Sequence, residues 1–401
     1  MKVLVVGAGI GGLAVAHALL AHGHEVEVFE QAAAPPGGGT AVTLWMNGSG
    51  ILGSLGVPLH GIGRRIDALG SRTSDGSPLG RIDMARVAKR FGAPSVTVPI
   101  HRLVNRLASA LPAGLLRYGA SVVSLTDHGG TIEITLSDGG TAAGDVLIGA
   151  DGPNSIIRPA MTDAGSPQFT GRATWQGVTA LPVDIAFGNT GLTIVGEEGS
   201  CGLMPAGENL LQWWFDIRWP SAQPPSGSPL RELRRRFGHW ASPVPEILAM
   251  IDDEDVGFHP HFRHRVPYLW GRGRGTLLGD AAHTMPPSLA QGANQALEDA
   301  WVLASLLPRS GDPQAALREY AALRWRRAAL ASRLADVGVT QQGSSVERLA
   351  FVPDRVKTWA FGTMLRSISN YLGGSPAHPV ATADPSPDPA ARPGVYAPPN
   401  P

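Results

Sequence analysis

One cysteine, Cys201, stands alone among 401 residues. That count leaves no partner for an internal disulfide and excludes a cysteine-cluster metal site. Net charge is absent too: 33 Lys+Arg balance 33 Asp+Glu. Without an excess of either sign, no overall field recruits nucleic acid or an anionic membrane. Long hydrophobic runs are missing, none approaching the roughly 18 apolar residues that span a bilayer. The first residues, "MKVLVVGAG", lack a charged leader and a cleavage site, and read as a strand. Together these absences point to a soluble, cytoplasmic protein. What remains is ordinary globular composition, 43% hydrophobic and 16% charged, with 51 glycines and 34 prolines that imply many turns and close backbone approaches. At this length two core-bearing units are expected.

"KVLVV" (2 to 6) is a β-branched run suited to a parallel strand buried on both faces. A glycine loop and a helical pattern ending at Gly23 follow, and then a second strand, "EVEVFE" (25 to 30). "MNGSGILGSLGV" reads as a short helix, residues 66 to 98 as short strand-like pieces between turns, and "PIHRLVNRLASAL" (99 to 111) as a helix. Residues 120 to 141 predict a hairpin or meander with Asp-Gly and Gly-Gly turns, and "AGDVLIGADG" a return to a buried strand. From 165 to 265 the character changes: tryptophans cluster and strands alternate. In "LLQWWFDIRW", Trp213, Phe215 and Ile217 share one face while Trp214, Asp216 and Arg218 share the other. Such a strand belongs to an antiparallel sheet with one face over a cavity. Helices are expected over 313 to 336 and 354 to 372, and the proline-rich segment from 376 onward is expected to be a disordered tail.

Three motifs carry chemistry. Gly7-Ala8-Gly9-Ile10-Gly11-Gly12 is a G-x-G-x-x-G between a strand and a helix. Gly7 permits the tight turn, Gly9 lets backbone approach a pyrophosphate, and Gly12 lets the helix lie close to the sheet. The helix N-terminus offers unpaired N–H groups to phosphate, and Glu30, ending the second strand, is placed to accept from an adenosine ribose. The second motif, Asp151-Gly152-Pro153-Asn154-Ser155-Ile156-Ile157-Arg158, delivers a carboxylate from a strand to a turn. There Ser155 can cap the next helix and Arg158 can reach back across it; taken alone, the motif reads rather as a strand end, an N-cap and a surface arginine. The third, "LLGDAAHTMPPSLAQGANQALEDA" (277 to 300), is again strand, loop and helix, with Gly279-Asp280, Pro286-Pro287 and Gly292-Ala293-Asn294.

In this order and spacing the three motifs resemble those of the class A flavoprotein aromatic monooxygenases, the para-hydroxybenzoate and salicylate hydroxylase-like family, over roughly residues 1 to 345. The resemblance implies an α/β fold: a Rossmann-like FAD-binding domain with an inserted, mainly antiparallel β-sheet substrate domain and C-terminal helices. The boundaries it suggests are 1–75, 96–165 and 266–345 for a discontinuous FAD-binding domain, 76–95 and 166–265 for the substrate domain, and 346–375 for a C-terminal helix before the tail at 376–401. It also implies that Gly7, Gly9, Gly11, Gly12 and Glu30 hold the ADP half of FAD. Arg102 would reach the cofactor near its phosphates or flavin, and Asp280 the ribityl or pyrophosphate region. Pro286 and Pro287 would face the ring, and Gly292, Ala293 and Asn294 would wrap its edge. Asp151 and Arg158 belong to a motif associated with both FAD and the reduced nicotinamide donor.

The activity so implied is hydroxylation of an aromatic or heteroaromatic small molecule with NADPH or NADH and O2, through a flavin C4a-hydroperoxide. Trp175, Gln176, Trp213 and Phe215 would seat the substrate, and the protein would be a monomer or homodimer. Epoxidation, Baeyer–Villiger oxidation and a non-catalytic flavin-binding role are the alternatives. Halogenation is disfavoured, because the Trp-x-Trp-x-x-Pro signature is absent, as is any lysine near a plausible pocket. Two departures from the family stand out: Gln31 and Ala32 follow Glu30 where a basic residue is frequent, and Arg263, His264, Arg265 and Arg272 crowd the approach to the third motif. The latter four could line an anionic substrate's entrance or form a solvated loop. His283 reads as packing beneath the loop rather than as acid or base. His259, His261 and His264 have a spacing that puts at most two on one face, so no metal is expected.

Overall fold

The computed structural model describes residues 1–180, 188–307, 311–340 and 348–374. The expected tail at 376–401 lies outside them. A six-stranded sheet runs in the order Gly271–Arg272, Gly275–Leu277, Val146–Gly149, Lys2–Val6, Glu25–Glu30, Leu116–Tyr118. All its pairings are parallel except the hairpin at the Gly271–Arg272 edge. Strand order reverses about Lys2–Val6, which has Glu25–Glu30 on one side and Val146–Gly149 on the other. In open parallel sheets ligands sit beyond the carboxyl ends of the strands at such a reversal.

Ile10–Ala21 is apolar on nearly every side, His17 being its one polar residue, as suits a helix that is covered over most of its surface. It lies between this sheet and the buried helix Gly292–Leu306. Its end is set by Gly23, which adopts φ +78° while the His24 N–H donates to the Leu19 carbonyl at 3.1 Å, a left-handed stop that glycine allows without strain.

A seven-stranded sheet forms the second layer, in the order Gly257–Arg263, Gln168–Ala180, Leu210–Arg218, Ser200–Pro205, Thr190–Val195, Ala68–Thr73, Pro78–Asp83. Only Thr190–Val195 with Ala68–Thr73 is parallel. Ala68–Thr73, which falls in the 1–75 segment expected on the cofactor side, therefore joins the second sheet. One face of the sheet is covered by two helices the sequence reading missed, Pro229–Phe237 and Val244–Met250. The other face looks across to the first sheet, with the small antiparallel sheet Ala41–Leu44, Ser95–Pro99, Arg64–Ile66 between them. A further missed helix, Met84–Phe91, starts where the Asp83 carboxylate accepts the Arg86 N–H at 2.8 Å and stops at Gly92 with φ +77°. Elsewhere elements fall near expectation: Met46–Ser54 and Ile100–Ser109 are helices, Val122–Asp127, Ile132–Leu136 and Thr141–Gly144 form a meander, and Pro313–Thr340, Asp354–Ser367 and Asn370–Gly373 are helices.

Candidate active site

A cavity of about 790 Å³ opens at the reversal point and extends to the inner face of the seven-stranded sheet. At one end lies the glycine turn. A Cβ on Gly7 would stand 2.3 Å from the Ala150 carbonyl oxygen, and one on Gly12 2.0 Å from that of Gly7, so both positions are closed to side chains by backbone. A Cβ on Gly11 would press on Leu278 at 2.6 Å. Gly9 differs: nothing lies within 4 Å of its Cβ position, which faces the cavity. The turn is thus tight where chain meets chain and open where a phosphate would approach. Glu30 holds it, Oε2 accepting the Ala8 N–H at 2.7 Å and Oε1 the Ala32 N–H at 2.8 Å. Beside it, Tyr118 pairs with Glu30 across the strands and lines the same space, its hydroxyl buried without a partner among the described residues. Burial, then the Glu30 charge, raises the Tyr118 pKa, so this hydroxyl is a donor awaiting an acceptor. Its role was not legible in the sequence, because only strand pairing brings it there.

Asp280 lies on the cavity wall, and no donor among the described residues reaches its carboxylate. Burial, together with the Asp299 charge and despite His283, raises its pKa. A carboxylate in this position is suited to accept from a ligand hydroxyl. Gly292 and Ala293 line the cavity at the start of Gly292–Leu306, whose free N–H groups favour negative charge there. The open Gly9 position, the unpartnered Tyr118 hydroxyl and the donorless Asp280 carboxylate all fit a bound dinucleotide.

Other expected contacts are placed differently. Asn294 is fully buried: its Oδ1 accepts the Trp45 N–H at 2.9 Å, and its Nδ2 donates to Thr43 at 3.0 Å and Ala290 at 2.6 Å. It ties the loop to the neighbouring strand and does not face the cavity. Pro286 is buried, and Pro287, Ser288, Leu289 and Ala290 form the loop's cavity wall. Arg158 is also buried, with its guanidinium donating to the carbonyls of Ala281 at 2.7 Å, Ala282 at 2.9 Å and Gly165 at 3.1 Å. It is a strut between the second and third motifs. Asp151 accepts the Ile156 and Ile157 N–H groups at 2.9 and 3.3 Å, and Ser155 accepts that of Arg158 at 2.9 Å, so this motif closes on itself. Ala150 and Gly152, flanking Asp151, are what line the cavity. Arg102 projects toward Gly207, while Ile100 and Val104 of the same helix reach the cavity.

The substrate-seating residues need the largest correction. Trp175, Trp213 and Phe215 are fully buried in the core between the sheet and Pro229–Phe237. Gln176 does line the cavity, with Thr174, Gln212, Trp214 and Asp216. The period of two was read correctly and the face was not. The apolar face is covered by helices, so the cavity takes the mixed face. Nor do the four basic residues form an entrance. Arg263 pairs with Asp336, Arg272 with Asp163 at 2.9 Å, His264 is buried, and none lines the cavity.

His283 sits beneath the loop at 0% exposure, its Nε2 2.6 Å from Asp299 Oδ2. Asp299 Oδ1 accepts from Arg324 Nε at 2.6 Å, and Oδ2 accepts the Gly279 N–H at 2.9 Å. Arg324 continues to Gln295 at 2.6 Å and Asn370 at 2.8 Å. Burial works against the Asp299 charge, but His283 and Arg324 outweigh it and hold its carboxyl below the usual range. The carboxylate partner of His283 lies 16 residues on, in the following helix, out of reach of a local reading.

Residues 1–335 match the model of the FAD binding domain family. The chain belongs to that family. It is 32% identical to the FAD-dependent urate hydroxylase of Klebsiella oxytoca, over 82% of this chain and 86% of the relative. It is 34% identical to a 3-amino-4-hydroxybenzoate 2-monooxygenase of Streptomyces platensis, over 81% and 84%. Its fold superimposes on Klebsiella pneumoniae HpxO complexed with FAD and uric acid with a TM-score of 0.86, at 26% identity and covering 92% and 97%. The protein is accordingly an FAD-dependent monooxygenase of the class A flavin type, with the α/β architecture expected of it. NAD(P)H is the electron donor typical of the family. Among the described residues no helix is long and apolar enough to cross a membrane.

Proposed function

We propose that the chain hydroxylates an aromatic or heteroaromatic small molecule held between the Pro287–Ala290 wall and the mixed face of the seven-stranded sheet, consuming NAD(P)H and O2. The observation that carries this reading is the continuity of one cavity from the Gly9 turn to Gln176, Trp214 and Asp216. FAD, when bound and reduced, supplies the activation of dioxygen. In this reading Gly9, Gly11 and the helix start at Ile10 receive the pyrophosphate. Glu30 receives the ribose, Asp280 accepts from ribityl hydroxyls, and Gly292 and Ala293 present N–H groups to the acceptor edge of the ring, where negative charge develops on reduction. Trp45, Trp214, Met204, Met285 and Phe361 enclose the remaining space in apolar surface, with Trp45 and Phe361 edge to face at 5.4 Å. Such a lining excludes water and seats a flat ring.

Purified protein is expected to be yellow, and to oxidise NAD(P)H and consume O2 faster when a substrate ring is added. The product carries one added oxygen. A preparation that stays colourless after reconstitution with FAD, or whose NAD(P)H oxidation responds to no ring in a panel built on the relatives' substrates and simple phenols and quinolines, overturns the proposal.

A further inference from the structure

The sheet end of the cavity has an unusual charge balance. Tyr118 aside, the ionisable residues lining the whole cavity are Glu30, Asp280 and Asp216, and no lysine or arginine among the described residues lines it. Glu30 and Asp280 stand at the dinucleotide end, which leaves Asp216 as the charge facing a bound ring. Asp216 comes from Leu210–Arg218 and pairs directly with Thr174 of Gln168–Ala180, so both side chains point the same way.

The Thr174 hydroxyl hydrogen-bonds Asp216 Oδ1 and lies 2.5 Å from Nε2 of the buried His261. The hydroxyl has one proton. A carboxylate can only accept it, so Thr174 accepts in turn from an Nε2–H of His261. His261 Nε2 stands 3.6 Å from Asp216 Oδ1. Burial outweighs the pull of Asp216 and lowers the His261 pKa, with Arg172 and His259 acting in the same direction, so the ring stays neutral. Arg172 and Arg218 stand two pairs further along the same strands, on the same face. Arg172 is buried, and neither lines the cavity. One carboxylate oxygen is thus fixed by Thr174 and His261, and Oδ2 is left for a ligand.

We propose that this end of the cavity selects a neutral ring that donates a hydrogen bond, from a phenolic O–H or a ring N–H, to Asp216, and turns away rings that carry a carboxylate. This rests on the reading that the cavity receives the ring, and narrows it to a substrate class. A site built around an acceptor discriminates strongly against an analogue without the donor, since the acceptor is then buried unpaired. An anionic ring would meet the Asp216 carboxylate directly, while Arg172, whose charge interacts with that carboxylate, is buried and lines no part of the cavity. The selection differs from that of the Streptomyces platensis relative, whose named substrate is a benzoate. Thr174 and His261 are positioning residues that fix the orientation of Asp216.

The test uses the FAD-loaded protein and reads the change in the flavin visible spectrum on titration with 2-naphthol, 2-methoxynaphthalene and 2-naphthoate. We expect naphthol to bind about 10-fold more tightly, or better, than either of the others. Asp216→Asn loses the charge and, with its one amide oxygen held by the Thr174 hydroxyl, turns an N–H2 donor toward the ligand, so naphthoate binding improves and the preference for naphthol over naphthoate is lost. Asp216→Leu removes both and abolishes the naphthol preference. Thr174→Val, which frees the carboxylate to rotate, weakens naphthol without helping naphthoate. Naphthoate binding as tight as naphthol in the wild type, ratios unmoved by Asp216→Leu, or no spectral response to naphthol overturns the inference. If a variant fails to retain FAD, the wild-type ratio alone decides. Because binding is read without turnover, a protein that selects naphthol yet oxygenates nothing refutes the hydroxylase reading and leaves this one intact.

Discussion

Gly9 and Gly12 lie three residues apart in one turn, and alanine at each should fail for a different reason. At Gly12 the new methyl would stand 2.0 Å from the Gly7 carbonyl oxygen, a backbone atom that cannot swing aside. Overpacking against fixed backbone costs about 1–3 kcal/mol, partly offset by the ~1 kcal/mol that alanine gains over glycine inside a helix. Apoprotein stability should therefore fall. At Gly9 the backbone is extended, φ −73° and ψ −177°, which alanine adopts freely, and nothing in the protein lies within 4 Å of the added methyl. Apoprotein stability should stay within about 0.5 kcal/mol of wild type. The methyl instead fills the space a phosphate needs to reach the N–H groups of the turn, and losing even one charge-assisted hydrogen bond, about 1.5–3 kcal/mol, weakens FAD roughly 10- to 100-fold. The assay is a pair of measurements on each variant: denaturant unfolding of the apoprotein, and FAD affinity by fluorescence quenching. Gly9→Ala with wild-type FAD affinity would refute the placement of the pyrophosphate at this turn. Gly9→Ala with lowered apoprotein stability would refute the view that the site is open there.

Further outcomes follow from the buried groups. Asp299→Asn removes the anion facing a fully buried Arg324 and should destabilise the protein by about 3 kcal/mol or more, read by denaturant unfolding; a loss under 1 kcal/mol would mean that Glu298, 3.8 Å away, carries the pairing alone. Trp213→Leu should cost about 3 kcal/mol of stability, because its indole fills the core under Pro229–Phe237, while Trp214→Leu should change ligand affinity far more than melting temperature. Equal stability losses for the two would contradict the assignment of faces. His264 is buried, neither ring nitrogen has a hydrogen-bond partner among the described residues, and burial followed by the Arg158 charge lowers its pKa to about 4. The unfolded chain then takes up a proton that the folded chain refuses. The His264 contribution is complete above the ordinary value of 6.5, falls as pH drops toward 4, and amounts to about 3 kcal/mol at most. Unfolding free energies measured from pH 7 to 4 should fall less steeply in His264→Asn; an unchanged slope would assign the acid sensitivity to His259 and His261, which shift the same way.

The features legible in the sequence were those whose physics is local. Gly7 and Gly12 carry their meaning in the two or three residues around them, and the β-branched run at 2 to 6 announces a strand buried on both faces. Glu30 is found by counting from the glycines. The Met84–Phe91 helix was legible too, through Asp83 before it and Gly92 after it, and was overlooked among short strand-like pieces. The choice of face in "LLQWWFDIRW" was of another kind. Alternation fixes which residues share a side, but which side meets the cavity depends on what packs against the other, and that was decided by Pro229–Phe237 and Val244–Met250. Tyr118 and the His261–Thr174–Asp216 group likewise exist only once strands pair.

The same distinction separates anchor from scaffold in the stretch 276 to 300. Its polar residues look alike in sequence, yet Asp280 has a carboxylate with no donor among the described residues, while Asp299 and Asn294 are paired inside the protein and His283 is tied to Asp299 through Nε2. A polar group that is buried and satisfied stabilises one loop geometry; one that faces a cavity unsatisfied is a contact waiting for its partner. Arg324 and Asp299 fix Gly279, Arg158 holds the carbonyls of Ala281 and Ala282, and Asn294 ties Ala290 to Thr43. The loop from Asp280 to Gly292 is thereby pinned at both ends and in the middle by side chains that never see the ligand. A substitution in this group should leave the cavity lining chemically unchanged while loosening the wall itself, so FAD affinity should fall with stability. In Asp280→Asn, by contrast, affinity should fall while stability holds or rises, because Asp280 is the group whose charge the folded protein disfavours.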